Sequence, residues 1–247
     1  MTFLDADADG KQDIFLGQQP NRLDGAPSKD RLYRRVGPAA FEPWPWSGLG
    51  LGLGTRTVSK GDVERDGRTD LLITYFDPKA SGVNRGLRLY RNSRNGFRNV
   101  TRARGIASIG DVDAELVRLN RDKRPDLVQL SRGRIRISLQ RDGRFRKVYE
   151  RSISRGVALA YGDVDGDGDR DLYVLRQKNG RRVKDLILFN QNQGRSWRAV
   201  NAPSRAGGQA DDVVPIDHDQ NGLTDFLVLN GKGAGKGPLQ LISFYRR

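Results

Sequence analysis

The chain has 247 residues, enough for one large all-β domain or two average ones, with 30 Gly, 10 Pro and no long helical periodicity. It contains no cysteine and one histidine, which excludes disulfides, thiolate metal sites and any multi-histidine centre within these residues. The formal charge of +14 favours polyanionic partners, although 34 Arg against 10 Lys also fits a merely solvated surface.

In chain order, Met1-Thr-Phe-Leu leads straight into an acidic loop, so no signal peptide is expected in these residues, and no stretch nears the roughly 20 apolar residues of a membrane span. That loop begins at Asp5 (DADADGKQDIFL) and is the first of five copies. The others begin at Asp62 (DVERDGRTDLLI), Arg118 (RLNRDKRPDLVQ), Asp163 (DVDGDGDRDLYV) and Asp217 (DHDQNGLTDFLV), at spacings of 57, 56, 45 and 54 residues. After each loop comes an apolar strand, a variable segment and a second strand: Leu32-Tyr33, Leu87 to Tyr90, Ile135 to Leu139, Leu186 to Phe189 and Leu239 to Ile242. Asn95-Gly96 and Asp142-Gly143 then read as tight hairpin turns, and a last strand opens on Phe41, Phe97, Phe145 or Trp197. Each unit thus predicts four antiparallel strands, A to D, with the acidic loop between A and B. Such sheets bury both faces only when stacked radially, so the expected fold is an all-β propeller in a single domain over 1–247.

The fourth loop is the most complete. Asp163, Asp165, Asp167 and Asp171 fall at positions 1, 3, 5 and 9. Four clustered carboxylates repel one another unless a hard cation neutralises them, and an all-oxygen, flexible set suits Ca²⁺ better than Mg²⁺ or a transition metal. Asp169, at position 7, is expected to add its carbonyl. An EF-hand reading fails, because position 12 is Val174 instead of Glu and the flanks ALAYGDV and DLYVL favour strands.

The phrases LYRNSRNGFRNVTRARGI (Leu89 to Ile106) and YGDVDGDGDRDLYVL, together with the repeated loop, resemble the FG-GAP/VCBS repeat family, whose best-known members are the blades of integrin α-subunit propellers. The resemblance covers nearly the whole chain and implies an extracellular or periplasmic location, with calcium-binding, secreted and cell-adhesion character. Copy one starts almost at its loop and copy five stops after its third strand, so the expectation leans towards part of a larger propeller with further blades.

Four loops are expected to hold calcium. The first offers Asp5, Asp7, Asp9 and Asp13 with the carbonyl of Lys11. The second offers Asp62, Glu64, Asp66 and Asp70 with Arg68, where Glu64 is one methylene too long and weakens the site. The fifth offers Asp217, Asp219, Asn221 and Asp225 with Leu223. In the third, Arg118 stands at position 1 and is expected to replace the ion by pairing with Asp122 or Asp126, leaving that loop without calcium. A loop saturated by protein oxygens and repeated in every blade reads as a fold staple, so no catalytic residue is assigned.

The Gly-Leu alternation from Gly48 to Gly54 and the segment NGKGAGKGP lack the strand-loop-helix context of a phosphate loop. Trp44 aligns with Val100, Val148 and Val200 and reads as core, whereas Trp46 aligns with Arg102 and is a candidate for ligand stacking. The B–C and D–A loops share the face opposite the calcium, and Arg85, Arg132, Arg134, Lys178, Arg181 and Arg182 there form the expected contact surface for an acidic glycan or a protein ligand. Nucleic acid is disfavoured, since no aromatics are interleaved with the basic residues. The rival reading is the propeller of a calcium-dependent polysaccharide lyase or hydrolase.

Overall fold

The computed structural model describes residues 1–18, 30–45, 48–49, 54–76, 84–177, 183–203, 212–229 and 240–243. Among them there is no helix. Nineteen strands form five antiparallel sheets: β1 (Thr2–Leu4) to β4 (Phe41–Pro43), β5 (Thr55–Gly61) to β8 (Gly96–Asn99), β9 (Asp111–Val117) to β12 (Arg144–Ser152), β13 (Gly156–Gly162) to β16 (Ser196–Asn201), and the three strands β17 (Asp212–Ile216), β18 (Asp225–Leu229) and β19 (Gln240–Ile242). This is a β-propeller fold of five blades, one per sequence repeat. Each acidic loop joins strand A to strand B, as the repeat implied.

Contacts divide the chain into two compact units, residues 1–117 with 140–146, and residues 118–139 with 147–247. In the first, Leu4, Phe15, Leu71, Ile73, Tyr75, Tyr90 and Phe97 build the core, and Trp44 packs against it as its alignment with valines implied. These residues come from alternating strand positions, which puts them on one side of each pleat. In the second unit Tyr173, Leu175, Ile187, Val213, Phe226 and Val228 are buried together, with the Tyr173 and Phe226 rings 4.8 Å apart. Adjacent sheets approach closely enough there that a Cβ on Gly162 would lie 2.2 Å from Thr224 Oγ1. The Thr224 N–H donates to the Asp163 carbonyl at 2.6 Å across the same contact.

The hairpin turns differ from one another. Asp142 and Gly143 both have positive φ, 50° and 68°, as a two-residue turn with the strand twist demands. In the second blade the turn lies one residue earlier than expected. Ser93 pairs with Gly96, so Arg94 and Asn95 make the turn and Gly96 (φ 93°) opens the strand. Gly96 supplies the left-handed residue that follows the turn instead of sitting inside it.

Polar side chains at the end of strand C stitch neighbouring blades. Asn92 Nδ2 donates to the Ala6 carbonyl at 2.8 Å, Gln140 Nε2 to the Val63 carbonyl at 2.8 Å, and Asn190 Nδ2 to the Leu119 carbonyl at 2.8 Å. In each case the acceptor is position 2 of the acidic loop in the preceding blade. Asn190 also accepts the Gly194 N–H on Oδ1.

Two outcomes follow. Asn190→Ala strands a buried carbonyl and a buried N–H, each worth about 1–3 kcal/mol, so chemical denaturation of this variant should show a midpoint well below that of the wild type with an unchanged m-value. Separately, burial, with Asp113 nearby, pushes the Glu115 carboxyl up to about 8 although Ser59 Oγ donates to it at 2.7 Å. The folded state therefore holds this proton where the unfolded chain has lost it, so stability falls as pH rises from the ordinary glutamate range towards 8. Thermal melts of Glu115→Gln across that window should be flatter with pH than those of the wild type.

Candidate metal centres

All five loops share one frame. The N–H of position 2 donates to the carboxylate of position 9: Ala6 to Asp13 at 2.8 Å, Val63 to Asp70 at 2.8 Å, Leu119 to Asp126 at 3.1 Å, Val164 to Asp171 at 3.0 Å and His218 to Asp225 at 3.0 Å. The other oxygen of this aspartate accepts an N–H from strand C, given by Arg35 to Asp13, Asn92 to Asp70 and Asn190 to Asp171 at 2.7–2.8 Å. The position-9 carboxylate is thus buried and fixed by backbone donors before any ion is considered.

At position 1, Asp5, Asp62 and Asp217 accept the N–H groups of positions 5 and 6, and Asp163 those of Gly166 and Gly168. The curl needs left-handed backbone at positions 4 and 6. Glycine fills position 6 in these four loops with φ of 80–84°. The position-7 N–H groups of Lys11, Arg68, Asp169 and Leu223 donate to the position-5 side chains at 2.7–3.1 Å.

Among the described residues three carboxylate trios converge, each with oxygens within 4.8 Å of one another: Asp5, Asp7 and Asp13; Asp163, Asp165 and Asp171; Asp217, Asp219 and Asp225. These are positions 1, 3 and 9 of the first, fourth and fifth loops. Position 5, expected as a fourth side-chain ligand, stands apart: Asp9 accepts a 2.8 Å bond from Lys11 Nζ, Asp167 accepts the Asp169 N–H, and the Asn221 amide donates to Asp219. The crowding registers electrostatically. Burial, with Asp13 and Asp9 beside it, raises the Asp7 carboxyl; burial with Asp167 and Asp163 does the same to Asp165; and burial pushes Asp171 up to about 7. A divalent cation placed among such a trio would reverse that repulsion, and the hard oxygen set fits Ca²⁺.

The second and third loops do not present such a trio. In the second, Asp62, Asp66 and Asp70 keep the common frame, but Glu64 turns to Arg104 Nη2, with Arg91 Nε 3.7 Å from its other oxygen. Its extra methylene lets Oε1 reach Arg104, while Oε2 stays buried without a hydrogen-bond partner among the described residues and the carboxyl remains beside Asp70. In the third, Arg118 is exposed and makes no ion pair with Asp122 or Asp126 among the described residues, contrary to expectation. A guanidinium has no acceptor for the N–H groups that a position-1 carboxylate holds. The loop instead relies on Asn120 Oδ1, which accepts the Asp122 N–H at 3.0 Å.

Of the expected contact surface, Trp46, Lys178, Arg181 and Arg182 lie outside the described residues, as does the side chain of Arg85. Arg132 is exposed. Arg134 Nη1 lies 3.7 Å from Glu150. One constellation escaped the sequence reading: Asp113 and Glu115, two residues apart on β9, with Ser59 of β5 bonded to Glu115. Its signal in the sequence was the run DVDAELV, acids alternating with apolar residues where the other A strands are mostly neutral.

No curated protein matches the chain in sequence. Among solved structures, an exo-β-1,3-galactanase from Phanerochaete chrysosporium, determined with β-1,3-galactotriose, superposes with a TM-score of 0.53 at 10% identity over 94% of this chain and 56% of that one. An exotype rhamnogalacturonan lyase gives 0.52 at 15% identity over 98% of this chain and 46% of that one. The chain therefore spans about half the length of these two proteins, and at such identities the likeness concerns the fold. The FG-GAP-like repeat matches residues 5–73 and 118–174, which include the first, second, third and fourth acidic loops, and by that match the chain belongs to the FG-GAP-like repeat family.

Proposed function

We propose that this chain is a non-catalytic, calcium-braced β-propeller that works outside the cytoplasm, extracellularly or in the periplasm, as a binding or adhesion module. The observation that carries the reading is the double duty of the ligand carboxylates. Asp5, Asp163 and Asp217 hold two loop N–H groups each while facing the trio, and Asp13, Asp171 and Asp225 are buried. Asp13 and Asp171 also tie their loops to strand C. An ion held by such groups organises backbone. The residues that would hold it are the three trios, joined by the carbonyls of Lys11, Asp169 and Leu223; Asp9, Asp167 and Asn221 are close enough in sequence to join after reorientation.

The partner this reading favours is an acidic glycan or a protein with an acidic surface. The chain carries 44 basic residues against 30 acidic ones, and half of the acids are ligand-position residues, which leaves the rest of the molecule strongly cationic. Arg132 and Arg134 mark the described part of the contact face, to which Arg85, Lys178, Arg181, Arg182 and Trp46 belong by the repeat alignment.

A second reading is kept by one specific observation, the Asp113 and Glu115 pair away from the metal loops, with a carboxyl held protonated near neutrality as a general acid requires. The two solved relatives, one a galactanase and one a rhamnogalacturonan lyase, supply the substrates worth assaying.

Each ion held at 100 times its dissociation constant adds about 2.7 kcal/mol to the folded state. Differential scanning calorimetry should show a large fall in Tm on adding EDTA, restored by excess Ca²⁺, with Asp163→Asn forfeiting one ion's share; an identical melt in chelator would sink the brace. Binding of a polygalacturonate or heparin probe should weaken steeply from 50 to 200 mM salt. No turnover is expected on β-1,3-galactan or rhamnogalacturonan, and turnover that disappears in Glu115→Gln would establish the enzymatic reading instead.

A further inference from the structure

The second acidic loop has three of the four carboxylates that its family pattern asks for, plus Glu64, and two arginines of the same blade reach Glu64 and Asp66. Glu64 Oε1 accepts a hydrogen bond from Arg104 Nη2, Arg91 Nε lies 3.7 Å from Glu64 Oε2, and Arg91 Nη2 lies 3.4 Å from Asp66 Oδ2. Side chains brought together on a surface often contribute nothing. Here the seat is built.

Arg104 is held by backbone on every side. Its N–H donates to the Val100 carbonyl at 2.9 Å, its carbonyl accepts the Phe145 N–H at 2.8 Å, and the turn around it is closed by Gly105 to Arg102 and Ile106 to Thr101. Its Nη1 donates to the Gly143 carbonyl at 2.7 Å. A Cβ on Gly143 would lie 2.7 Å from that same Nη1 and would push the guanidinium aside. The guanidinium is therefore aimed, with one nitrogen on the hairpin of the third repeat and the other on Glu64.

We propose that the second loop carries its own cation: the Arg104 guanidinium, seated on Gly143 and supported by Arg91, takes the place that a divalent ion takes in the first, fourth and fifth loops. Glutamate at position 3 is what makes this work: an aspartate there joins a carboxylate trio, as Asp7, Asp165 and Asp219 do, whereas Glu64 stays beside Asp70 and also reaches the Arg104 guanidinium. The extra methylene lets Glu64 Oε1 reach Arg104 while Oε2 stays buried in the loop. The protein then binds three calcium ions, and the second blade keeps its loop ordered without one.

This inference rests on the calcium reading of the other three loops, and the test separates the two. Calcium titration of the whole protein by isothermal calorimetry should return the same number of sites for Asp62→Asn as for the wild type, whereas Asp217→Asn should lose one. Loss of one site in Asp62→Asn would overturn the proposal. If no calcium heat is seen at all, the calcium reading fails and the arginine is judged separately, by a double-mutant cycle in EDTA. There Glu64→Gln and Arg104→Met should each lower Tm by roughly 2–4 °C and the double variant by no more than the larger single loss. Additive losses would show that the two groups do not act together and would overturn the assignment.

Discussion

The structure depends on a buried aspartate at the ninth position of each acidic loop. Asp13, Asp70, Asp126, Asp171 and Asp225 are all essentially without solvent exposure. A carboxylate in that position is costly unless backbone donors or a cation repay its lost hydration. At Asp13, Asp70 and Asp171 two N–H groups, one from the loop and one from strand C, do the first part and close those A–B loops onto the strand two places along the sheet. Burial still outweighs them, which is why the Asp70 carboxyl is pushed up to about 8 and Asp171 to about 7.

That division of labour explains the third loop. Its first position has become Arg118 and its third Asn120, so it no longer gathers carboxylates, yet Asp126 is retained and still accepts the Leu119 N–H. Position 9 therefore has a backbone role that does not need a carboxylate trio around it. The left-handed residue at position 6 also survives as Lys123, φ 63°, where the other loops use glycine. Position 4, left-handed in the other four loops, is not so at Arg121, so the third loop shares the position-9 anchor and the position-6 conformation but not the whole curl.

Blade boundaries were legible in the sequence because two signals coincide, an acidic loop of fixed length and strand-forming runs such as DLYVL, which is buried throughout, and the alternating RIRIS. What stayed hidden were contacts between groups far apart in the chain. Asn92 reaches Ala6 across 86 residues, and Arg104 reaches Glu64 across 40. Neither partner has a local pattern, since the length of the B–C segment varies from repeat to repeat and shifts the spacing. The turn at Arg94-Asn95 was misplaced by one residue for a local reason: an Asn-Gly pair suits both a two-residue turn and the glycine that follows one.

The amide latches would carry the effect of an ion bound at a carboxylate trio beyond its own loop. Asn92, Gln140 and Asn190 each donate to the carbonyl of position 2, and the N–H of that same residue is bonded to the position-9 carboxylate. Position 2 is thus held on both sides, its N–H by its own loop and its carbonyl by the next blade. Ordering a loop fixes the acceptor that the following sheet needs, and a bonded pair of buried polar groups is worth most when both are already in place. An ion held by Asp5, Asp7 and Asp13 would therefore steady Ala6 for Asn92, and with it the end of β7. The second and third loops offer Val63 and Leu119 to Gln140 and Asn190 without a carboxylate trio of their own. In these blades the arginine pairing at Glu64 and the Asp122 N–H bond to Asn120 are the loop's own contacts at the same places in the repeat.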